Sequence, residues 1–421
     1  MVLRTYLKCN VCESITMIRT QIDFCDVFPI RIYCGECRIL FATELQQKQK
    51  KLKFCNASII KPITNIKPQY YVETSAHFIT KKLQKYDKKR HETNFSPFIN
   101  TLTMLSEKNF MNFIKHLSIF SEFIRNDWTN IRKINEIWLN NKYKYLPKEL
   151  CKYLPRKKFY RHKKLDYYRG IHHINSMFFM GIYGEDNYKK VSNLLSKEIN
   201  LIQRNSLKIK QTIDMINYFD NKKLFDYFEK QLFDQYVKFV EIFNFLIPAF
   251  GLKFCNNVPK QLCNEYGMTT ASFEDIKQFY LDSFEVAAGN STFVIAFNNL
   301  KYRNNFEQMK VIRKDVNTLS QFELKNKGDK IKFIDGVEIF DTLIYPNLDN
   351  NLRNAIGHKS YIYNGVDQTI TYYPSGKMNV GVEQKIYLVN FARKCIDIFI
   401  SLINLNELVY NARVISLILK E

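Results

Sequence analysis

The sequence predicts a mainly α-helical protein with a small β module at its N terminus. Three observations lead there. Two Cys-x-x-Cys pairs lie close together near the start, apolar residues recur every three or four positions through most of the chain, and one Asn-Gly turn sits between two Tyr- and Thr-containing runs near the end.

The first element is the cysteine module. Cys9-Asn10-Val11-Cys12 and Cys34-Gly35-Glu36-Cys37 are separated by 21 residues. Two such hairpins can present four thiolates tetrahedrally, and the spacing is near that of zinc ribbons, so Cys9, Cys12, Cys34 and Cys37 are the expected ligands of a structural zinc ion. Gly35 suits a tight knuckle. Residues 28–33 read as a strand entering it, and segments 52–60 and 69–74 add one or two more strands. A redox dithiol is the rival reading, but two paired motifs without a βαβ pattern argue against it. Cys25 and Cys55 are unpaired spare thiols. The module is placed at residues 1–78.

A helical middle region follows at 79–187. Residues 81–90 are lysine-rich and read as a solvated helix face or linker. From 95 to 140 the apolar spacing predicts two amphipathic helices, with Phe113, Leu117, Phe120 and Trp138 as core. Residues 142–164 carry ten Lys or Arg against one acid, Glu149, with Tyr143, Tyr145, Tyr153, Phe159 and Tyr160 interleaved. Such a segment can follow a phosphate backbone and stack unpaired bases; it also fits a solvated connector punctuated by Pro147 and Pro155. His162, His172 and His173 lack the companions that a second metal site would need.

Residues 188–421 form the main helical domain. A long apolar stretch at 207–247 is expected to stop at Pro248, and Ser272 with Asp275 resembles a capping box opening the next helix. Another helix is placed at 293–306, a turn at 326–329, and a short hairpin or loop at 331–334. Residues 337–345 lead toward Leu352-Arg353-Asn354-Ala355-Ile356-Gly357-His358. Residues 361–365 and 369–373 then make a β-hairpin, and 384–419 a closing helix.

Composition frames the function. The net charge of +22 points to a polyanionic partner, with nucleic acid first, although the lysine usage of an AT-rich genome would give part of the same charge. The longest apolar run, 239–250, is broken by Glu241, Asn244 and Pro248, so no membrane span is expected. The first residues lack a signal-peptide core. A cytoplasmic protein with reduced cysteines is the expectation.

Arg353, Asn354 and His358 suit phosphodiester chemistry. An imidazole moves a proton near neutral pH, a guanidinium holds phosphoryl oxygens, and an amide orients either. The same residues also fit a plain helix C-terminus with Gly357 as its stop. Arg156 and His162, six positions apart, also fall within the loose range of an arginine five to seven positions before a histidine, but they lie among prolines and lysines.

The Arg353-Asn354-x-x-x-His358 stretch resembles the signature of HEPN superfamily ribonucleases, which include abortive-infection proteins and toxins. The resemblance implies an α-helical HEPN-like bundle, here elaborated by the hairpin. It further implies metal-independent cleavage of single-stranded RNA at Arg353, Asn354 and His358. It implies a homodimer that composes the site, and an antiphage or toxin role with an inhibitory or trigger partner. The alternative is a non-enzymatic zinc-ribbon regulator that binds nucleic acid.

Overall fold

In the computed structural model, alternating burial builds the N-terminal module. Strand β1 (Val2–Cys9) enters a tight knuckle and returns as β2 (Ile15–Gln21), and β3 (Val27–Tyr33) with β4 (Leu40–Gln46) repeats the device. Phe28, Ile30 and Ile32 alternate along β3 and all point into a core shared with Leu7, Ile18, Phe41 and Val72. Each such side chain stabilises the module by about 1.5–3 kcal/mol relative to exposure. Strands β5 (Ala57–Ile60), β6 (Tyr70–Ser75), β7 (Thr80–Lys81) and β8 (Gln84–Lys85) follow. The main sheet has the order β5-β1-β2-β6-β8, with β2 and β6 parallel. The lysine-rich run is therefore partly strand, and Lys82 is buried rather than solvated.

The structure describes residues 2–22, 27–46, 52–61, 67–89, 95–159, 163–203, 206–255, 262–312, 314–325, 330–334 and 348–421. The expectations for Cys25, Tyr160, His162, the turn at 326–329 and the lead-in at 337–345 fall outside these residues.

Two compact units emerge, each drawn from three stretches of chain. The first comprises Met1–Lys115, Glu241–Leu281 and Asp349–Ile396; the second comprises His116–Val240, Asp282–Leu348 and Asp397–Glu421. Both contain helices, and the chain is mainly helical with a small N-terminal β-rich region, as the sequence predicts. Among the described residues, no helix is long and apolar enough to cross a membrane.

Several boundaries differ from the periodicity reading. The span 95–140 holds three helices, Pro97–Leu105, Glu107–Asn126 and Trp128–Leu139, because Ser106 turns to φ +67° and breaks the first from the second. Helix Leu224–Gly251 continues one turn past Pro248. The 331–334 stretch is a single 3₁₀ turn, Ile331–Phe333. Residues 142–159 of the basic segment are not a plain connector: 3₁₀ turns at Tyr143–Tyr145 and Arg156–Phe159 stand on either side of a helix at Leu146–Leu150. Leu146, Leu150, Leu154 and Phe159 are buried there.

In the second unit, phenylalanines fill the core. Phe239 stacks flat on Phe399 at 3.8 Å, and Phe120 meets Phe178 edge-on at 5.3 Å. A buried amide pair, Asn135 and Asn175, exchanges two hydrogen bonds of 2.9 Å.

In the first unit, β9 (Tyr266–Gly267) pairs with β7. One half of the expected capping box forms, since the Asp275 carboxylate accepts from both the N–H and the hydroxyl of Ser272 at 2.7 Å just before helix Phe273–Gly289. The hairpin also forms, as β10 (Tyr361–Asn364) and β11 (Thr369–Tyr372). Asn364 begins its loop by accepting from the N–H groups of Val366 and Asp367. A third strand, β12 (Gln384–Tyr387), pairs with β11, so the closing helix starts only at Leu388.

Tyr33, at the end of β3, meets this hairpin. Its ring lies edge-on to Tyr363 at 6.0 Å, and a Cβ built on Gly365 would stand 2.4 Å from it. Gly365→Ala should therefore cost about 1–3 kcal/mol through forced displacement of the Tyr33 ring. Chemical denaturation would read this as a lowered midpoint.

Candidate metal centre and catalytic corner

The two knuckles share one backbone design. In each, the first cysteine's N–H donates to the carbonyl five residues on, to Ser14 at 3.0 Å and to Ile39 at 2.9 Å. The residue four on donates back, Glu13 to Cys9 and Arg38 to Cys34, both at 3.1 Å. Both returning residues sit in the left-handed region, at φ +62° and +61°. Gly35 does not take that role. It is required instead because a Cβ there would stand 2.3 Å from the Tyr70 ring, whose hydroxyl donates to Glu36.

This geometry gathers the four thiols. The Sγ atoms of Cys9, Cys12, Cys34 and Cys37 all lie within 4.8 Å of one another, with Cys9–Cys37 at 3.6 Å and Cys12–Cys34 at 3.5 Å. A tetrahedron of sulfurs at about 2.3 Å from a central ion has edges of about 3.8 Å, so the set can hold a metal ion. Cys55 is exposed and stands outside the cluster. Among the described residues, the four cysteines are the one group with metal-ligand geometry.

The sequence did not single out Ser14. Its hydroxyl lies 3.2 Å from Cys12 Sγ and 3.1 Å from Cys34 Sγ, bridging the knuckles, and the Val11 N–H points to Cys9 Sγ at 3.4 Å. Burial pushes the Cys12 thiol up, but hydrogen bonds with Ser14 and the neighbouring thiols outweigh it and bring Cys12 down to about 6. Burial holds Cys37 up at about 12. The hydrogen bonds that Ser14 and the neighbouring thiols offer thus favour a thiolate within the cluster, which suits metal capture.

Arg353 and Asn354 lie in one short helix, Asn350–Gly357, and His358 follows it directly. Asp349 caps its start by accepting from the Leu352 N–H at 3.0 Å, and Lys394 pairs with the same carboxylate at 3.1 Å. Leu352, Ala355 and Ile356 bury one face and leave Arg353 and Asn354 half-buried on the other. The Arg353 Nη1 donates to Asn354 Oδ1 at 3.3 Å.

His358 is the C-cap residue, and it is exposed. The stop is made by Lys359 at φ +56° and not by Gly357. Lys359 N–H donates to Ile356 and Ser360 N–H to Ala355, the paired bonds of a Schellman ending. Space beside Gly357 is open, while a Cβ built on Gly376 would lie 2.8 Å from His358 Cδ2. The Gly376 turn therefore backs one side of the imidazole. Other histidines have different settings. Burial drives His77 down to about 3 and keeps it neutral in the core, and His172 stacks on Tyr410 with Nε2 3.1 Å from Glu407.

No family model, curated protein or solved structure matches this chain.

Elemental analysis of the purified protein should return one tetrahedrally held metal ion per chain. Cys12→Ser with Cys34→Ser should abolish it. Chelation of the native protein should expose amides of β1 to β4 to hydrogen exchange; unchanged protection after complete metal removal would contradict the assignment.

Proposed function

We propose that the protein is an endoribonuclease acting on single-stranded RNA through Arg353, Asn354 and His358. The observation that carries this reading is an exposed imidazole at the end of a capped helix, one turn beyond a guanidinium engaged with an amide. The resemblance of these residues to the HEPN signature and the +22 charge support it.

The chemistry follows from the substrate. The ribose 2′-oxygen attacks the adjacent phosphorus, its proton passes to a base, and the 5′-oxygen leaves with a proton from an acid. The products are a 2′,3′-cyclic phosphate and a 5′-hydroxyl. His358 fills one proton-transfer role, Arg353 stabilises the charge on the phosphoryl oxygens, and Asn354 orients the guanidinium. One imidazole cannot be acid and base in the same step, so a homodimer supplies the second. The four-thiolate cluster takes zinc as a structural ion, a closed site without an open position for substrate. Such a nuclease fits an abortive-infection or toxin effector in the cytoplasm, restrained by an inhibitory partner or released by a trigger.

The closed thiolate site and the charge also favour a second reading, a zinc-ribbon regulator that binds nucleic acid without cutting it. Induced expression separates the two. Wild type should fragment cellular RNA, and His358→Ala or Arg353→Ala should lower cleavage about 10²–10⁴-fold with the fold intact. Equal RNA profiles for wild type and both variants would favour the regulator.

A further inference from the structure

The two ends of the basic, aromatic segment at 142–164 meet around one cavity of the second unit. The cavity measures about 500 Å³, the size of a small-ligand site. Tyr143 and Trp138 form its aromatic wall, with ring centroids 5.1 Å apart. Trp138 is fixed in place because its Nε1–H donates to Glu229 at 2.7 Å. Lys163, Lys164, Lys420 and Arg413 bring four cations, against the carboxylate of Glu421.

These cations differ in what holds them. Arg413 is a fixed wall, 12% exposed and bound to Asp220 at 3.0 Å, Asp226 at 2.7 Å and Glu229 at 3.5 Å. The lysines are looser. Lys420 is 55% exposed beside Asp220, Lys163 is 44% exposed beside Glu421, and Lys164 lies over the Tyr143 ring at 4.6 Å. Exposed single ion pairs are worth at most about 1 kcal/mol, so an incoming dianion can displace their carboxylates and recruit the ammonium groups. An apolar ligand would leave those ammonium groups unused. A simple anion would leave the aromatic wall unused. A ligand that carries both a flat π-system and a phosphate uses each.

We propose that this cavity binds a nucleoside phosphate. The base and ribose pack against Tyr143 and Trp138, and the phosphate sits among Lys163, Lys164 and Lys420. The ligand is either a free mononucleotide or the 5′-phosphorylated end of an RNA strand. None of the residues placed in RNA cleavage takes part, so the proposal stands whether or not the nuclease reading holds.

Trp128 and Trp138 are the two tryptophans of the chain, so Trp128→Phe protein reports the cavity by its remaining fluorescence. Titrations would use AMP and GMP, then one oligoribonucleotide with a 5′-phosphate or a 5′-hydroxyl. A saturable change with the mononucleotides identifies a free nucleotide as the source; a change only with the 5′-phosphorylated strand identifies the RNA end. Either must weaken at least about tenfold in the Lys163→Ala, Lys164→Ala double variant, whose exposed positions leave folding and Tm unchanged. No saturable change with any probe at millimolar concentration would overturn the proposal. So would equal binding of the two oligonucleotides without mononucleotide binding, or an affinity that the double variant does not lower.

Discussion

Ser360 is the small buried residue on which the geometry of the corner depends. Its N–H closes the helix on Ala355, its carbonyl accepts from Tyr373 at 3.0 Å, and its hydroxyl lies 3.2 Å from the carbonyls of both Ala355 and Tyr373. The end of the Arg353 helix and the return of the hairpin are thereby tied at one point. Tyr373 then accepts from Gly376, and that turn brings the Gly376 backbone against the His358 ring. An exposed side chain would ordinarily sample several rotamers. Here one side of the imidazole is backed by the chain while the other faces open space.

The hairpin that carries this tie is also where the cysteine module meets the rest of its unit. Tyr33, the residue before Cys34, packs on Gly365 and Tyr363, and the neighbouring Arg31 donates its backbone N–H to Thr269 at 2.7 Å. Phe273 joins the same cluster from the capped helix, edge-on to Tyr361 at 5.0 Å and to Phe391 at 4.9 Å. A metal ion cross-linking the two knuckles would fix the position of Tyr33, and through it the hairpin. This gives a four-thiolate site a physical connection to the corner without any part in proton transfer.

Much of this was legible in the residues. Cysteine spacing located all four thiols, because a paired turn imposes its own local geometry. Ser272 with Asp275 and the alternating runs around the hairpin carry local signals that the fold follows, although the hairpin turns through four residues, Gly365 to Gln368, with Gln368 rather than Gly365 left-handed. What stayed hidden was set by partners distant in sequence. Residues 384–387 fit a helix by spacing and become strand only because β11 offers them hydrogen bonds. Left-handed backbone at Glu13, Arg38 and Lys359 falls on residue types that do not announce it, at a cost of about 1–2 kcal/mol each, offset by the paired bonds they close. Ser14 and Ser360 gave no signal, since a serine's importance lies in what the fold brings to its hydroxyl.

The central claim is that His358 moves a proton for an attacking ribose hydroxyl. Its most direct test compares an all-ribose oligonucleotide with its all-2′-deoxy counterpart, each incubated with folded wild-type protein and with His358→Ala. The account predicts cleavage of the ribose strand by wild type alone, ending in a 2′,3′-cyclic phosphate. Cleavage of the deoxy strand, or of the ribose strand by His358→Ala at the wild-type rate, would contradict it.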